Sequence, residues 1–273
     1  MKKISNNEVQ ILELNILKEF DLICKKYNLG YYMIGGTMLG AIRHKGFIPW
    51  DDDIDIAMMR EDYDKLLDLR NKGEISLEIC NFQNDKSIEV VLSRVYIKNT
   101  YFQNKYLPKM NIHNEWYFDI FPLDNVPDDY KLAKKQEREI IFIRKIINLK
   151  LQNIKHEDKK FFLKKIFQTL LFLFPINFWL KKLDRIMKKY KNFETKMVCS
   201  MASGISYSKQ SFDRDIYGSK TLYTFEEYSF YGVKEFDKYL SQLYGANYMI
   251  IPEKENRMRP HDIFLLDNWE NIK

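Results

Sequence analysis

The segment Asp51-Asp52-Asp53-Ile54-Asp55-Ile56-Ala57-Met58-Met59 constrains the fold more than any other stretch, because its alternate positions differ in kind. Asp51, Asp53, Asp55 and Ala57 fall on one side of a two-residue period, and Ile54, Ile56 and Met58 on the other. The spacing predicts a strand over 51–59 with three carboxylates on one face. On such a strand Asp53 and Asp55 stand roughly 7 Å apart at the backbone, close enough to reach one or two divalent cations. A solvated acidic turn or a calcium loop is the alternative. An EF-hand loop, however, carries a glycine and ends in Glu, whereas isoleucines separate the acids here.

What precedes this segment gives it a context. Val9, Leu12, Ile16, Phe20, Ile23 and Tyr27 recur at steps of three or four, the mark of an amphipathic helix closed by Asn28-Leu29-Gly30. Tyr31 to Ile34 suits a short buried strand, and Gly35-Gly36-Thr37 then interrupts before a short helix over 38–43 and a loop over 44–49. Glycines at 35 and 36 let backbone N–H groups come close to a phosphate at the start of that helix. Downstream, 60–72 reads as helix and 77–82, 88–97 and 116–121 as strands, so the first half is mixed α/β. Asp119 stands between Phe118 and Ile120; a carboxylate in so apolar a strand needs a partner, which makes it the candidate third ligand of a cation.

After Pro127 the chain turns Lys-rich and helical over 128–150 and 158–191, with a break at Pro175. The expected organisation is a catalytic core over 1–127, a helical subdomain over 128–199 and a C-terminal segment over 200–273 that completes the site. The stretch 159–182 mixes apolar bulk with lysines; it suits either a core helix or one lying on a membrane surface. With 45% hydrophobic and 30% charged residues the chain has no disordered profile. The net charge of +6 fits a polyanionic partner or a plain bias toward Lys. No basic recognition helix or RNA motif accompanies it, so no nucleic-acid partner is expected. Cys24, Cys80 and Cys199 lack metal-site spacing and read as reduced, buried thiols. No signal-peptide pattern opens the sequence, and a cytoplasmic address, peripheral at the inner face of the cell membrane, is the expectation.

Several motifs occur together: Ile34-Gly35-Gly36-Thr37 with Leu39-Gly40-Ala41-Ile42-Arg43; Gly46 through Ile56; Asp119-Ile120-Phe121-Pro122-Leu123-Asp124; and late Tyr244-Gly245, Tyr248-Met249, Pro252, Arg259 and His261. In these the chain resembles the LicD family of phosphotransferases, related to fukutin and within the nucleotidyltransferase-fold superfamily. The resemblance implies an α/β (α+β) fold, a nucleotidyltransferase-like mixed sheet flanked by helices with a helical insertion. It also implies transfer of phosphocholine from CDP-choline to a sugar hydroxyl of a lipid-linked glycan or teichoic acid precursor, with release of CMP. Ribitol phosphate is the cargo of similar members, and nucleotidyl transfer or a silent binding module are the competing readings.

By position, Asp53 and Asp55 match the family's metal pair, holding Mg2+ or Mn2+, with Asp51 in support. Asp119 would ligate the metal, act as general base, or both. Arg43, His44 and Lys45 precede the acids, and Arg offers a diphosphate a bidentate fork. Together with Gly35, Gly36 and Thr37 they form the expected donor site. Arg94 and Lys98 match a basic cluster of the family, although Val95-Tyr96-Ile97 between them is less polar than the family pattern. His261, after the basic Arg257 to Arg259, resembles the family's closing histidine. Trp50 and Trp116 are the aromatics nearest the acids and suit a quaternary ammonium.

Overall fold

A computed structural model describes residues 1–102, 114–152, 154, 161–257 and 261–266. His113, His156, Lys159, Lys160 and Arg259 lie outside the described residues. The chain runs β1 (Lys2–Lys3), α1 (Asn6–Lys26), β2 (Tyr32–Met33), α2 (Gly35–Arg43), β3 (Asp55–Met59), α3 (Arg60–Asn71), β4 (Ile79–Cys80), β5 (Ser93–Ile97), β6 (Thr100–Phe102) and β7 (Trp116–Val126). It continues through α4 (Tyr130–Leu151), α5 (Phe161–Leu171), α6 (Ile176–Met187), β8 (Met197–Cys199), α7 (Tyr207–Gln210), β9 (Ser211–Asp213), α8 (Arg214–Tyr217), β10 (Thr221–Phe225), β11 (Tyr228–Gly232), α9 (Phe236–Tyr244) and β12 (Ile263–Leu265).

The main sheet is mixed and ordered β10-β11-β2-β3-β7-β5-β4, with β8 on the far end of β7 and β9 beside it. Strands β3 and β7 are parallel, while β2 and β5 lie antiparallel to β3 and β7 respectively. A small antiparallel sheet of β1, β12 and β6 brings both ends of the described chain together. This is the α+β architecture the sequence implies.

Ser5 starts α1 with a capping box: its hydroxyl accepts the Glu8 N–H, and the Glu8 carboxylate accepts the Ser5 N–H at 2.7 Å, a pairing worth about 1 kcal/mol. The helix buries Val9, Glu13, Leu17, Phe20, Asp21 and Cys24. The predicted stripe through Leu12, Ile16 and Ile23 is therefore rotated by about one position. The main core gathers Phe20, Tyr31, Met33, Ile56, Met58 and Phe118 beneath the sheet's helices, and a second apolar cluster joins α4 to α6 through Ile140, Ile143, Leu180 and Leu183. All three cysteines are buried and outside any disulfide.

Two strand expectations are corrected. The strand predicted over 51–59 begins only at Asp55, and the one predicted over 88–97 begins only at Ser93. A strand lasts only as long as its neighbours offer backbone partners. Here β2 pairs only with Ile56 and Ala57, and the β7 pairing starts at Asp55 opposite Asp119. Asp51, Asp52 and Asp53 thus sit in the loop that feeds the strand. The short helix begins at Gly35 rather than Met38, so both glycines belong to its first turn.

Candidate active site

Strand register places the acids. Asp55 and Asp119 are direct partners across parallel β3 and β7, and Arg94 of β5 is the partner of Asp119 on its other side. The Asp119 N–H donates to Ile54 O at 3.1 Å, fixing the loop–strand junction. Arg94 Nε donates to Asp119 Oδ1 at 3.1 Å, and its guanidinium lies 3.9 Å above the Tyr117 ring. Asp53, Asp55 and Asp119 share one cavity of about 190 Å3 with Phe102, Trp116, Tyr117 and His261. Larger open clefts surround Arg214 at the Met59 end of β3, and none of these acids lines them.

The glycine turn makes room for carboxylates. A Cβ on Gly35 would stand 2.9 Å from Asp55 Oδ2, and one on Gly36 would stand 2.8 Å from Asp51 Oδ2. Gly35 also has φ +54°, a backbone that side chains rarely adopt. Its N–H donates to the Tyr239 hydroxyl at 3.1 Å. Thr37 is buried, and its Oγ1 accepts the Asp55 N–H at 2.8 Å. The first turn of α2 thus positions Asp55 directly. From the other side, Gln10 and Asn6 of α1 donate to Asp51 O at 2.8 and 3.1 Å, which ties down the loop.

Charge in this cavity is one-sided. Burial, then Asp53 and Asp119, hold the Asp55 carboxyl well above its ordinary range, and burial and Asp53 push Asp51 up to about 8. Asp53 keeps an exposed edge but is also raised, first by burial and then by Asp52. Burial raises Asp119 as well, against the pull of Arg94. As the side chains stand, no group of three or more His, Cys, Asp or Glu is arranged to hold a metal ion among the described residues. Asp53, Asp55 and Asp119 share the cavity, with Asp119 engaged by Arg94 and Asp53 in the loop that precedes β3.

The remaining expected residues divide. His261 joins the cavity, its ring 5.2 Å from both Trp116 and Phe102 and its Nδ1 3.1 Å from Asp52 Oδ2. Arg43 reaches away: Nη1 donates to Tyr248 O at 2.9 Å, and Nε to His44 Nε2 at 2.9 Å. Lys45 and Lys98 are exposed, and neither lines the cavity of the acids. Trp50 packs under the guanidinium of Arg257 at 4.1 Å, whereas Trp116 is in the cavity wall.

Sequence reasoning missed Glu13 and Asp52. Glu13 is fully buried, its Oε1 accepting the Trp116 indole N–H at 2.9 Å, and burial and the nearby Asp53 raise its carboxyl well above the ordinary range. The available signal was the i, i+4 spacing of Val9, Glu13 and Leu17, which sets an acid on the buried stripe. Asp52 was masked by its acidic neighbours.

Comparison with known proteins places the chain in a family. The family model for the LicD/FKTN/FKRP nucleotidyltransferase domain matches residues 28–162, which include α2, β3 and Asp119. The lipopolysaccharide cholinephosphotransferase LicD of Haemophilus influenzae is 30% identical over 96% of this chain and 98% of its own length. The chain belongs to the LicD family. An uncharacterized protein of Rickettsia typhi is 32% identical over 48% of the chain and 49% of its own length. One of Rickettsia prowazekii is 47% identical over 17% of the chain and 18% of its own length. In this LicD-family chain the matched region carries Asp53, Asp55, Asp119 and Arg94, while His261 reaches them from the C-terminal segment outside it.

Proposed function

We propose that this protein transfers phosphocholine from CDP-choline to a sugar hydroxyl of a cell-surface glycan precursor, of the teichoic acid or lipopolysaccharide kind, and releases CMP. The observation that carries the reading is a shared cavity, lined by Asp53, Asp55 and Asp119 together with Phe102, Trp116 and Tyr117. Acids that attract a divalent ion suit the phosphoryl group, and aromatic faces suit a quaternary ammonium, at about 0.5–2 kcal/mol per face. Ligand-enclosing pockets typically span roughly 300–1,000 Å3. This one, at about 190 Å3, suits the phospho-alcohol end of the donor and leaves the nucleotide outside.

The donor set fits Mg2+ or Mn2+. It consists of hard carboxylate oxygens, raised first by burial and then by one another, and a divalent ion would favour their ionised form. Asp53 and Asp55 would hold the ion, with Asp119 as third ligand on release from Arg94. Bound there, it would neutralise charge on the transferring phosphoryl oxygens. The chain's own residues do the rest. Asp119, raised by burial, takes the proton of the acceptor hydroxyl as its oxygen bonds to the choline phosphorus and the bond from that phosphorus to the CMP oxygen breaks. Arg94, freed from Asp119, faces the departing phosphate. Thr37 keeps Asp55 aimed.

Calorimetry of CDP-choline with Mg2+, against CDP-ribitol and CTP, on wild type and an Asp53→Ala/Asp55→Ala variant tests this. Metal-dependent binding of CDP-choline that the variant loses is the expected result. Preference for CDP-ribitol would move the cargo to ribitol phosphate, and binding of CTP alone would favour nucleotidyl transfer. No binding at millimolar ligand would point to a silent module.

A further inference from the structure

Helix α5 carries its apolar residues outward. Phe162, Leu163, Ile166, Phe167 and Leu170 are exposed, Phe162 at 78%, and no residue of the helix is buried. Only its last residue, Leu171, packs on the second apolar cluster, and its other inward contacts are polar: Gln168 Nε2 donates to Leu149 O and Gln152 O at 3.0 and 2.9 Å, and Lys150 Nζ donates to Leu171 O at 3.0 Å. That is the reverse of a helix packed on a core. The turn that follows continues the pattern, with Phe172 83% and Leu173 77% exposed. So dense an apolar surface goes beyond the scattered hydrophobics of an ordinary exterior. Helix α6 departs at 87° and is rooted in the second apolar cluster by Trp179, Leu180, Leu183 and Met187, which leaves α5 and the turn standing out as a foot.

The backbone of this foot is prepared for an apolar medium. The N–H groups of Phe172, Leu173 and Phe174 donate to Thr169, Leu170 and Leu171 carbonyls at 3.1, 3.4 and 3.2 Å, so none enters hydrocarbon unpaired. Charge selects the partner. Residues 161–183 contain Lys164, Lys165, Lys181 and Lys182 and no Asp or Glu. A second copy set face to face would oppose lysine to lysine, whereas anionic headgroups would neutralise them. Among the described residues no single helix is long and apolar enough to cross a membrane. At eleven residues α5 extends about 16 Å, half a hydrocarbon core, so it suits the interface plane.

We propose that α5 and the Phe172–Phe174 turn dock this protein on an anionic lipid bilayer, apolar side chains in the acyl boundary and lysines at the headgroups. The proposal rests on exposure and charge and is independent of the transferase reading. Flotation of the full chain with phosphatidylglycerol-containing vesicles, against pure phosphatidylcholine, tests it at low salt. Wild type should float with the anionic vesicles only. Lys165→Gln/Lys181→Gln should lower vesicle affinity on the order of 25-fold, from about fivefold per lysine. Phe172→Ser/Leu173→Ser should lower it at least about tenfold. Far-UV circular dichroism and Tm, unchanged in both variants, verify folding. Wild type left with the lipid-free fraction, or variants that float as well as wild type, would overturn the proposal. So would a dimer that the Phe172→Ser/Leu173→Ser variant dissociates while wild type ignores vesicles.

Discussion

Asp52 holds His261 twice: its Oδ2 accepts the His261 backbone N–H and stands 3.1 Å from the ring Nδ1. Through this contact the C-terminal segment reaches the acid loop. The hydrogen bond to Asp52 raises the imidazole above its ordinary 6.5, with charge from Asp52, Asp53 and Asp262 adding to it and burial opposing. A raised folded-state value means that the stabilisation is complete below the unfolded value and disappears as pH climbs through the folded one. Without divalent ions, wild type should therefore lose stability relative to His261→Gln as pH rises from about 6 to about 9. With the ring 42% exposed, the change is on the order of 0.5 kcal/mol after solvent screening. Urea titrations at several pH values read it, and a constant difference between the proteins would show that the imidazole binds its proton no more tightly in the folded state than in the unfolded chain.

The first turn of α2 is predicted to set activity more than stability. In Gly36→Ala the new methyl meets only the tip of Asp51, a side chain able to move, so Tm should drop by a few degrees at most. The displaced carboxylate stands beside Asp53, and misplacement on the order of 1 Å can cost about 10²-fold in rate. CMP release should fall by roughly 10- to 100-fold. In an Asp51→Ala background the same substitution should cost nothing further, and an undiminished loss there would place the effect elsewhere.

The elements legible in the sequence were those whose signal is local. Helix α1, though with its buried stripe turned by about one position, the helix over 60–72 and the strand holding Asp119 all appear where their own residues place them. The acid motif was legible as chemistry but not as geometry. Whether Asp51 and Asp53 join the strand depends on where the pairing with β2 and β7 stops, and nothing within 51–59 encodes that. Arg94 was legible as a basic residue, but its grip on Asp119 follows from the antiparallel register of β5 with β7. Glu13 escaped because periodicity counts a carboxylate as polar and so assigns it to water.

Glu13 offers a second pH signature, of like direction and separate cause. Its Oε2 is buried with no hydrogen-bond partner among the described residues, and the folded state binds its proton more tightly than the unfolded chain does. The unfolded carboxyl ionises near 4.5, so folding loses stability as pH rises above that value. Glu13→Gln keeps an acceptor for the Trp116 indole and has no proton to lose. It should gain on wild type as pH rises above about 4.5, measured by urea unfolding with chelator present. A pH-independent difference would mean that Glu13 is ionised in the folded protein.

Asp124 shares a motif with Asp119 but has a different task. It is completely buried and accepts two hydrogen bonds from Arg60, Nε at 2.7 Å and Nη2 at 2.6 Å, while Asp184 of α6 stands 3.7 Å from Arg60 Nη1. This cluster joins the start of α3 and the end of β7 to the helical layer, at the opposite end of β7 from the cavity. Breaking a buried pair by removing one partner strands the other charge and costs about 3–5 kcal/mol, whereas replacing both with apolar residues is close to neutral. Arg60→Met and Asp124→Leu should each destabilise by about that amount in urea, and the double variant should recover most of the loss. If Asp124 serves only the fold, the refolded double variant also retains transferase activity, unlike any variant of Asp119. Loss of activity in a double variant of normal stability would instead bring Asp124 into the chemistry.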